Sequence, residues 1–335
     1  MGKGQTKDFH YSMNDNYVEG TLTCLKSEVI KNRINTNFPL VLNIEPTNAC
    51  NLKCVYCPRL KTVSRYGTNF IELETYKKII DEACEYGPLI MLNLHKDGEP
   101  LLNKNLSEMV GYAKKRQVAQ TIHLNTNGTL LNTKFGYSLL DSGIDDMTIS
   151  VDAAFSDTYK KLKQSSQFDE LIKGIESFIE YKNKLNVSTL IRVKIMEFED
   201  ISANEISEFV NKWNGIADEV QVTGIHDWSG EIKDIKITDE TSDVRFPCAL
   251  LWYALAVNSN GMVSICNVDW DYSGVIGNLK DKKLHEIWND TKIRKVRLSH
   301  LQTNWNYVPV CDKCVVWTSV GNLKDFFKYK KEFIE

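Results

Sequence analysis

The chain lacks several features that would place it in a specialised class. Its 335 residues contain no apolar run long enough to cross a bilayer, no secretory signal pattern, no short-period repeat and no low-complexity linker. The formal net charge of −3 gives no case for nucleic acid as a partner. These absences predict a globular, cytoplasmic protein without a membrane or nucleic-acid partner. The 42% of hydrophobic residues suffice for one large domain and a small one.

Cysteine, in contrast, is abundant. Of the nine cysteines, seven fall into two groups whose spacings are typical of metal or cluster ligands. In the absence of a signal peptide, such spacings favour free thiols in a reducing compartment over a disulfide framework.

The first group is a CxxxCxxC motif, formed by Cys50, Cys54 and Cys57 directly behind an apolar run. Three thiolates suit a [4Fe–4S] cluster, because they leave the fourth iron open to a small molecule. The next cysteine, Cys84, lies within a helical pattern and is a poor fourth ligand. The alternatives are a chance grouping of thiols or a zinc site, which would want a fourth Cys or His close by.

The second group supplies four thiolates, enough to close a cluster with protein ligands alone or to bind structural zinc. Its members are Cys248, Cys266, Cys311 and Cys314, the last two in a CxxC motif. The first two flank a predicted β-hairpin over residues 249–266, with its turn at 258–261. An Ile-Gly-Asn-Leu turn and an amphipathic helix are predicted after the hairpin.

Between the two groups, extended apolar runs alternate with helical patterns. The runs lie at 40–46, 89–95, 121–128, 146–153, 188–196 and 219–225. Six strands with intervening helices predict a parallel sheet buried on both faces, whereas a closed eight-stranded barrel would need two more units. Chemistry is expected at the carboxyl ends of these strands.

The second predicted strand is followed by the turn HKDGEP, residues 95–100. Together with the CxxxCxxC motif, this turn resembles the radical S-adenosylmethionine (SAM) superfamily, whose turn reads Gly-Gly-Glu-Pro; Asp97 replaces the first glycine. The resemblance implies an α/β fold with a partial (β/α)6 TIM-like barrel, and a [4Fe–4S] cluster whose open iron binds SAM. An electron from the cluster, supplied by a donor such as flavodoxin or ferredoxin, would cleave SAM to a 5′-deoxyadenosyl radical.

The resemblance also implies which residues bind SAM. They are Tyr56, Gly98, Glu99, Pro100, Asn125, Asn127, Ser150, Asp152 and Arg192, most of them at predicted strand ends. Glu99 and its turn would hold the SAM ammonium, and the strand-end residues would reach the ribose hydroxyls and the carboxylate. The alternative roles are turn formation or helix capping for the Asn, Ser and Asp residues, and a barrel ion pair for Arg192.

The stretch from about Cys248 to Cys314 resembles the SPASM/twitch domains, in the shorter form that holds one auxiliary [4Fe–4S] cluster. The resemblance therefore implies two [4Fe–4S] clusters and SAM as cofactors. We predict an N-terminal extension (1–38), the partial barrel (39–230), an auxiliary domain of a β-hairpin plus helix (231–322) and a C-terminal tail (323–335).

The end of the sixth predicted strand is the expected substrate site. His226, Asp227 and Trp228 lie there, and with His95 they could bind the hydroxyl groups and ring face of a sugar. His226 could also act as the catalytic base near neutral pH. A packed turn is the alternative.

The arrangement of the second cysteine group is similar to that of twitch-type radical SAM dehydrogenases. This similarity implies oxidation of a carbinol in a polyhydroxylated small molecule, a cyclitol, aminosugar or nucleotide sugar, with the auxiliary cluster as electron acceptor. The alternatives are epimerisation or dehydration of a similar sugar, modification of a ribosomal peptide, and a non-enzymatic iron–sulfur or zinc scaffold.

Overall fold

The computed structural model describes residues 27–34, 37–198, 200–224, 228–230 and 245–320. They form an α/β fold around a nine-stranded, mostly parallel sheet. Among these residues, no helix is long and apolar enough to cross a bilayer.

The sheet confirms the predicted run of parallel strands. Its strands are β1 (Val41–Ile44), β2 (Leu89–Asn93), β3 (Ala119–Thr126), β4 (Asp146–Ser150), β5 (Leu190–Glu197), β6 (Glu219–Gly224), β7 (Ala254–Val257), β8 (Met262–Ser264) and β9 (Val275–Asn278). Their order is β6-β5-β4-β3-β2-β1-β7-β8-β9. Strands β1 to β6 pair in parallel with their sequence neighbours. Strands β1 and β2 are buried along their whole length, as their continuous apolar sequence predicts.

The helices connect the strands and cover the sheet with apolar stripes. They are α1 (Ser27–Arg33), α2 (Arg59–Tyr66), α3 (Leu73–Cys84), α4 (Leu106–Arg116), α5 (Lys134–Asp141), α6 (Ser156–Lys163), α7 (Phe168–Leu185), α8 (Ala203–Trp213), α9 (Leu250–Tyr253), α10 (Leu284–Trp288), α11 (Thr291–Leu301) and α12 (Pro309–Asp312). In α3, Tyr76, Ile79, Ile80 and Ala83 are buried. This spacing places them on one face of the helix, which packs into the core.

The C-terminal part joins the same sheet. Strand β7 pairs in parallel with β1, and β7 and β8 form the predicted antiparallel hairpin. The turn lies where it was predicted, because the Asn258 N–H donates to the Met262 carbonyl at 2.8 Å and Gly261 has a φ of +83°. The first strand is shorter than predicted, since residues 250–253 form the helical turn α9.

The turn predicted at Ile-Gly-Asn-Leu, residues 276–279, begins only at its end. Strand β9, which pairs with β8, runs to Asn278, and the turn before α10 follows, where the Asp281 N–H donates to the Asn278 carbonyl at 3.1 Å. A glycine is required in this strand, because a Cβ on Gly277 would lie 2.8 Å from the Ile287 side chain of α10. The glycine therefore marks a close helix–strand contact rather than a turn.

Candidate functional site

A cavity of about 390 Å³ lies at the carboxyl ends of the parallel strands. We call it the barrel cavity. Its walls carry the thiols of Cys50, Cys54 and Cys57, together with residues at or just after the ends of β2, β3 and β4, two residues of β5 and residues of the C-terminal part. The predicted first cysteine group and most of the predicted SAM residues thus meet in one place.

The cysteine loop between β1 and α2 is held by the protein itself. The buried Arg59 guanidinium donates to the carbonyls of Asn48 at 3.2 Å and Leu52 at 3.4 Å, and the Cys57 N–H donates to the Cys54 carbonyl at 3.1 Å. Burial raises the pKa of Cys57 to about 11 and also raises the pKa of Cys50. Such thiols become thiolates when a metal centre binds them, so the loop fits a cluster.

The Gly98-Glu99-Pro100 turn lies against this loop. The Glu99 N–H donates to the Ala49 carbonyl at 2.7 Å, and Pro100 begins a short 3-10 helix over Pro100–Leu102. The buried Glu99 carboxylate accepts from Thr126 Oγ1 at 2.7 Å and from the Asn127 N–H at 2.7 Å. Burial raises its pKa. A carboxylate has about four acceptor positions, and the Leu101 N–H takes a third at 3.1 Å, so Glu99 can link β2 to β3 and still accept one bond from a ligand ammonium.

Asp152, after β4, combines a strained backbone with an unpartnered oxygen. Its φ is +57°, which is uncommon for a residue other than glycine. Oδ2 accepts from Lys163 Nζ at 2.6 Å and from the Tyr56 hydroxyl at 3.0 Å, whereas buried Oδ1 has no partner among the described residues. Burial opposes ionisation, but the ammonium groups of Lys163 and Lys194 outweigh it and hold the pKa of Asp152 below its ordinary value. The cavity wall therefore carries an ionised carboxylate with a free acceptor.

Asn125 and His95 belong to a chain of hydrogen bonds that leads away from the cavity. The Asn125 N–H donates to His95 Nδ1 at 3.2 Å, and its side-chain amide contacts His95 Nε2 and His123 Nε2, each at 3.1 Å. His123 Nδ1 in turn lies 2.8 Å from Asp146 Oδ1. Burial lowers the pKa of His95 well below its ordinary value, so the ring is neutral at physiological pH.

Of the predicted SAM residues, all but Pro100 and Arg192 line the cavity. Asn127 and Ser150 line it, and Asn127 Nδ2 donates to Asn51 Oδ1 at 2.8 Å. Arg192 does not line it: Nε donates to Glu219 Oε2 at 2.6 Å and Nη1 to Asp146 Oδ1 at 2.9 Å. The prediction that Arg192 pairs with the SAM carboxylate therefore finds no support, and the guanidinium forms the barrel ion pair that was the alternative.

Sequence reasoning missed two lysines of the cavity wall. Lys163 reaches from α6 to Asp152 and to the Ser150 carbonyl, and Lys194 lies two residues after Arg192 on β5. In the described part of the chain, Lys194 Nζ has no hydrogen-bond acceptor. Burial lowers its pKa against the opposing charge of Asp152. The signal was available, because the period of two places Lys194 and Met196 on one face of β5, and both line the cavity.

The predicted substrate residues are only partly described. His95 and Trp228 line the barrel cavity, and the Trp228 carbonyl accepts from Trp270 Nε1 at 3.1 Å. His226 and Asp227 lie outside the described residues, so their roles stay predictions.

Asp97, the departure from the Gly-Gly-Glu-Pro pattern, connects the barrel to the C-terminal part. Its carboxylate forms a buried ion pair with Lys96 at 2.6 Å, and Lys96 Nζ also donates to the Asp269 carbonyl at 3.1 Å. Asp269 follows Cys266 by three residues. The ion pair thus fixes the strand-end turn against the loop that carries a cysteine of the second group.

The second cysteine group also comes together. Cys248, Cys266, Cys311 and Cys314 all line one small enclosed cavity, which we call the auxiliary cavity. Burial, followed by the neighbouring thiols, raises the pKa of Cys248 and Cys266 well above the ordinary value and that of Cys311 to about 12. A metal centre would ionise such thiols, so the auxiliary cavity also fits one.

Family models match both parts of the chain. The model of the radical SAM superfamily matches residues 44–202, and that of the SPASM iron–sulfur cluster-binding domain matches residues 248–315. The chain therefore contains a radical SAM domain followed by a SPASM domain. The predicted cofactors are confirmed at this level, since a radical SAM domain uses a [4Fe–4S] cluster with SAM and a SPASM domain implies further clusters.

Curated relatives match part of the chain. The GTP 3′,8-cyclase of Petrotoga mobilis is 28% identical over 172 residues, 51% of this chain and 50% of that protein. The probable GTP 3′,8-cyclase of Methanococcus maripaludis is 34% identical over 134 residues, 40% and 43% of the two chains. An uncharacterised protein of Methanocaldococcus jannaschii is 32% identical over 185 residues, 54% and 55%. The chain spans about half the length of these relatives.

Solved structures resemble more of the chain. BtrN in complex with AdoMet and 2-DOIA has a TM-score of 0.56 at 18% identity, covering 83% of this chain and 93% of BtrN. SuiB of Streptococcus suis bound to its precursor peptide SuiA has a TM-score of 0.63 at 17% identity, covering 91% and 76%. The anSMEcpe structure with bound AdoMet has a TM-score of 0.57 at 15% identity, covering 88% and 96%. At these identities the likeness shows the fold.

Proposed function

We propose that this radical SAM enzyme is an oxidoreductase that oxidises a carbinol of a polyhydroxylated small molecule, such as a cyclitol, aminosugar or nucleotide sugar. Cys50, Cys54 and Cys57 would hold the SAM-binding cluster, and the four C-terminal cysteines the auxiliary cluster. When bound, these groups supply a 5′-deoxyadenosyl radical and a one-electron acceptor.

The observation that carries the proposal is a shared wall between the two cavities. Val268 and Val316 line both the barrel cavity and the auxiliary cavity. Removing hydrogen from a carbinol carbon leaves one electron and the hydroxyl proton to be taken away before a ketone can form. An acceptor behind a wall of two valines is well placed to receive that electron.

The thiol arrangement favours clusters over zinc. In the part of the chain that the structure describes, no three Cys, His, Asp or Glu side chains converge on a site for one metal ion. Zinc draws its four ligands to a single point. A [4Fe–4S] cluster distributes its thiolates over different irons, so it fits cysteines that share a cavity without converging.

The cavity walls suggest how SAM and the substrate are held. Glu99 and Asp152 each offer a carboxylate acceptor that suits the ammonium or the ribose hydroxyls of SAM, and Asn127 and Ser150 add neutral polar groups. Tyr56 and Lys163 hold the Asp152 carboxylate in place by donating hydrogen bonds to its Oδ2. Trp228 offers an apolar face to a ring on the side of the C-terminal part.

Lys194 is the described residue best suited to take the hydroxyl proton. Its buried amine lines the cavity, and its pKa is lowered by burial, which favours the neutral form that can act as a base. His95 is less suited, because Nδ1 already accepts from the Asn125 N–H. His226, the catalytic base predicted from the sequence, lies outside the described residues and stays a prediction.

A cyclase that acts on a nucleoside triphosphate is the second candidate, because the sequence relatives carry the name GTP 3′,8-cyclase. A triphosphate calls for several free cations. Among the described residues of the barrel cavity, Lys96 and Lys163 are each paired with a carboxylate, and Lys194 is the cation without such a pair. This charge balance favours the proposed alcohol substrates, which carry fewer phosphate groups or none, over a triphosphate.

The test is anaerobic turnover of the reconstituted enzyme in deuterated buffer, with SAM, a reductant, and either cyclitols, aminosugars, UDP-glucose or GTP. We expect a ketone two hydrogens lighter than its polyol substrate, in equal amount with 5′-deoxyadenosine. An unchanged mass with solvent deuterium at one carbon would indicate an epimerase, and loss of water a dehydratase. Conversion of GTP to an isomer would support the cyclase instead.

A further inference from the structure

The tautomer of His300, a residue of α11 that lines the auxiliary cavity, is fixed by a cysteine. The Cys248 N–H donates to His300 Nδ1 at 3.4 Å, so Nδ1 is an acceptor. A ring nitrogen that accepts a hydrogen bond carries no hydrogen of its own. The ring hydrogen therefore sits on Nε2, which is a donor.

This donor has no acceptor in the protein. His300 Nε2 is buried and has no hydrogen-bond partner among the described residues. The Trp305 ring packs edge-on against the imidazole, with 5.2 Å between centroids, and limits its rotation. A buried N–H group without a partner is rare in folded proteins.

Arg245 presents a second such donor to the same cavity. Its terminal nitrogens donate to the backbone carbonyls of Cys311 and of Asp312, the latter at 2.9 Å. Its guanidinium lies 4.7 Å from the Trp305 ring and 5.9 Å from the Trp317 ring. Nε, in contrast, is buried without a hydrogen-bond partner in the described part of the chain.

Two buried donors, one of them cationic, thus line the cavity that also holds the four thiols of the second cysteine group. We propose that His300 Nε2 and Arg245 Nε donate hydrogen bonds to the sulfur atoms of the auxiliary cluster and thereby raise its reduction potential. The inference rests on the proposed function, because it requires a cluster at the four cysteines. Hydrogen bonds and positive charge stabilise the more negative, reduced state of an iron–sulfur cluster. The donors would make the cluster a better acceptor for the substrate electron.

The test is an EPR-monitored redox titration of the full-length reconstituted protein, with the auxiliary signal assigned by comparison with a variant in which Cys50, Cys54 and Cys57 are Ala. His300→Phe and Arg245→Met remove one donor each. We expect both to lower the potential, with reduction at least about tenfold less favourable in each, which corresponds to about 59 mV for one electron. His300→Gln keeps a side-chain N–H and should recover much of the loss.

The controls separate this inference from the proposed function. Val310→Ala alters the cavity wall without touching a donor and should leave the potential near that of the unmodified protein. An unmodified protein without a second cluster would overturn the inference together with the auxiliary-cluster assignment. A second cluster whose potential is the same in Arg245→Met as in the unmodified protein, at equal iron content, would overturn the inference alone. The arginine variant decides the matter even where His300→Phe loses iron.

Discussion

Gly98 passes so close to the cysteine loop that a Cβ on it would lie 2.2 Å from the Thr47 carbonyl oxygen and 2.4 Å from that of Ala49. The glycine of the strand-end turn is therefore needed for packing as well as for any contact with SAM. The same contact brings the Glu99 N–H within 2.7 Å of the Ala49 carbonyl. The cysteine loop and the predicted SAM turn are thus one structural unit.

Substituting Gly98→Ala should displace the cysteine loop. The clash is with backbone, which cannot rotate away, so we expect a loss of about 1–3 kcal/mol in the free energy of unfolding. Iron bound by the first cysteine group should fall with it. Gly111→Ala in α4 is the matched control, because a Cβ at Gly111 would lie 4.0 Å from its nearest neighbour, the Ser142 side chain. Iron analysis and denaturant unfolding measure both effects, and unchanged values in Gly98→Ala would contradict the packing argument.

Variants of the two cysteine groups should lose different steps of the reaction. A SAM-binding cluster and an auxiliary cluster predict about eight irons per chain, and replacing Cys50, Cys54 and Cys57 by Ala should remove about half. Cys54→Ala should abolish reductive cleavage of SAM. Cys314→Ala should keep some cleavage while product formation collapses, because the substrate electron then lacks its acceptor.

Cys84→Ala is the matched control for these thiol variants. Cys84 ends α3, and its Sγ donates to the Arg116 carbonyl at 3.6 Å, outside both cavities. Iron content, SAM cleavage and product yield should match those of the unmodified protein. Equal product yield in Cys314→Ala and Cys84→Ala would remove the electron-acceptor role from the second group.

The features that were predictable from the sequence are those written in short, contiguous patterns. The cysteine motifs, the Gly98-Glu99-Pro100 turn and the continuous apolar strands are of this kind. Arg192 and Lys194 show what such patterns do not predict. Both are cations on one face of β5, but only Lys194 reaches the cavity, because Asp146 and Glu219 pair with the Arg192 guanidinium. That pairing depends on contacts among three strands, which no short pattern in the sequence specifies. Lys163 was missed because its helix gives no sign in the sequence that its last residue is buried.

Removing the Lys163 ammonium should lower the free energy of unfolding strongly, because its ion pair with Asp152 is buried. The Lys163 and Asp152 side chains are 3% and 2% exposed, so Lys163→Met would leave a buried carboxylate without its partner. Breaking a buried pair in this way costs about 3–5 kcal/mol. Lys161→Met on the same helix is the control, since that side chain is 62% exposed and its ion pair with Asp200 contributes at most about 1 kcal/mol. Anaerobic denaturant titration compares the two, and equal losses would count against the buried pair.

The pH dependence of turnover tests the role of Lys194. A base acts in its unprotonated form, so kcat/KM should rise with pH and level off above the pKa of the amine, which burial holds below its ordinary value of 10.5. Lys194→Met should lower kcat by about 10²–10⁴-fold and remove this rise, while SAM binding is retained. Lys194→Arg distinguishes a base from a fixed charge, because a guanidinium stays protonated and should be as inactive as Met. His226→Gln should keep the rise. A profile that persists in Lys194→Met and disappears in His226→Gln would assign the base to His226, and full activity of Lys194→Arg would reduce Lys194 to a source of positive charge.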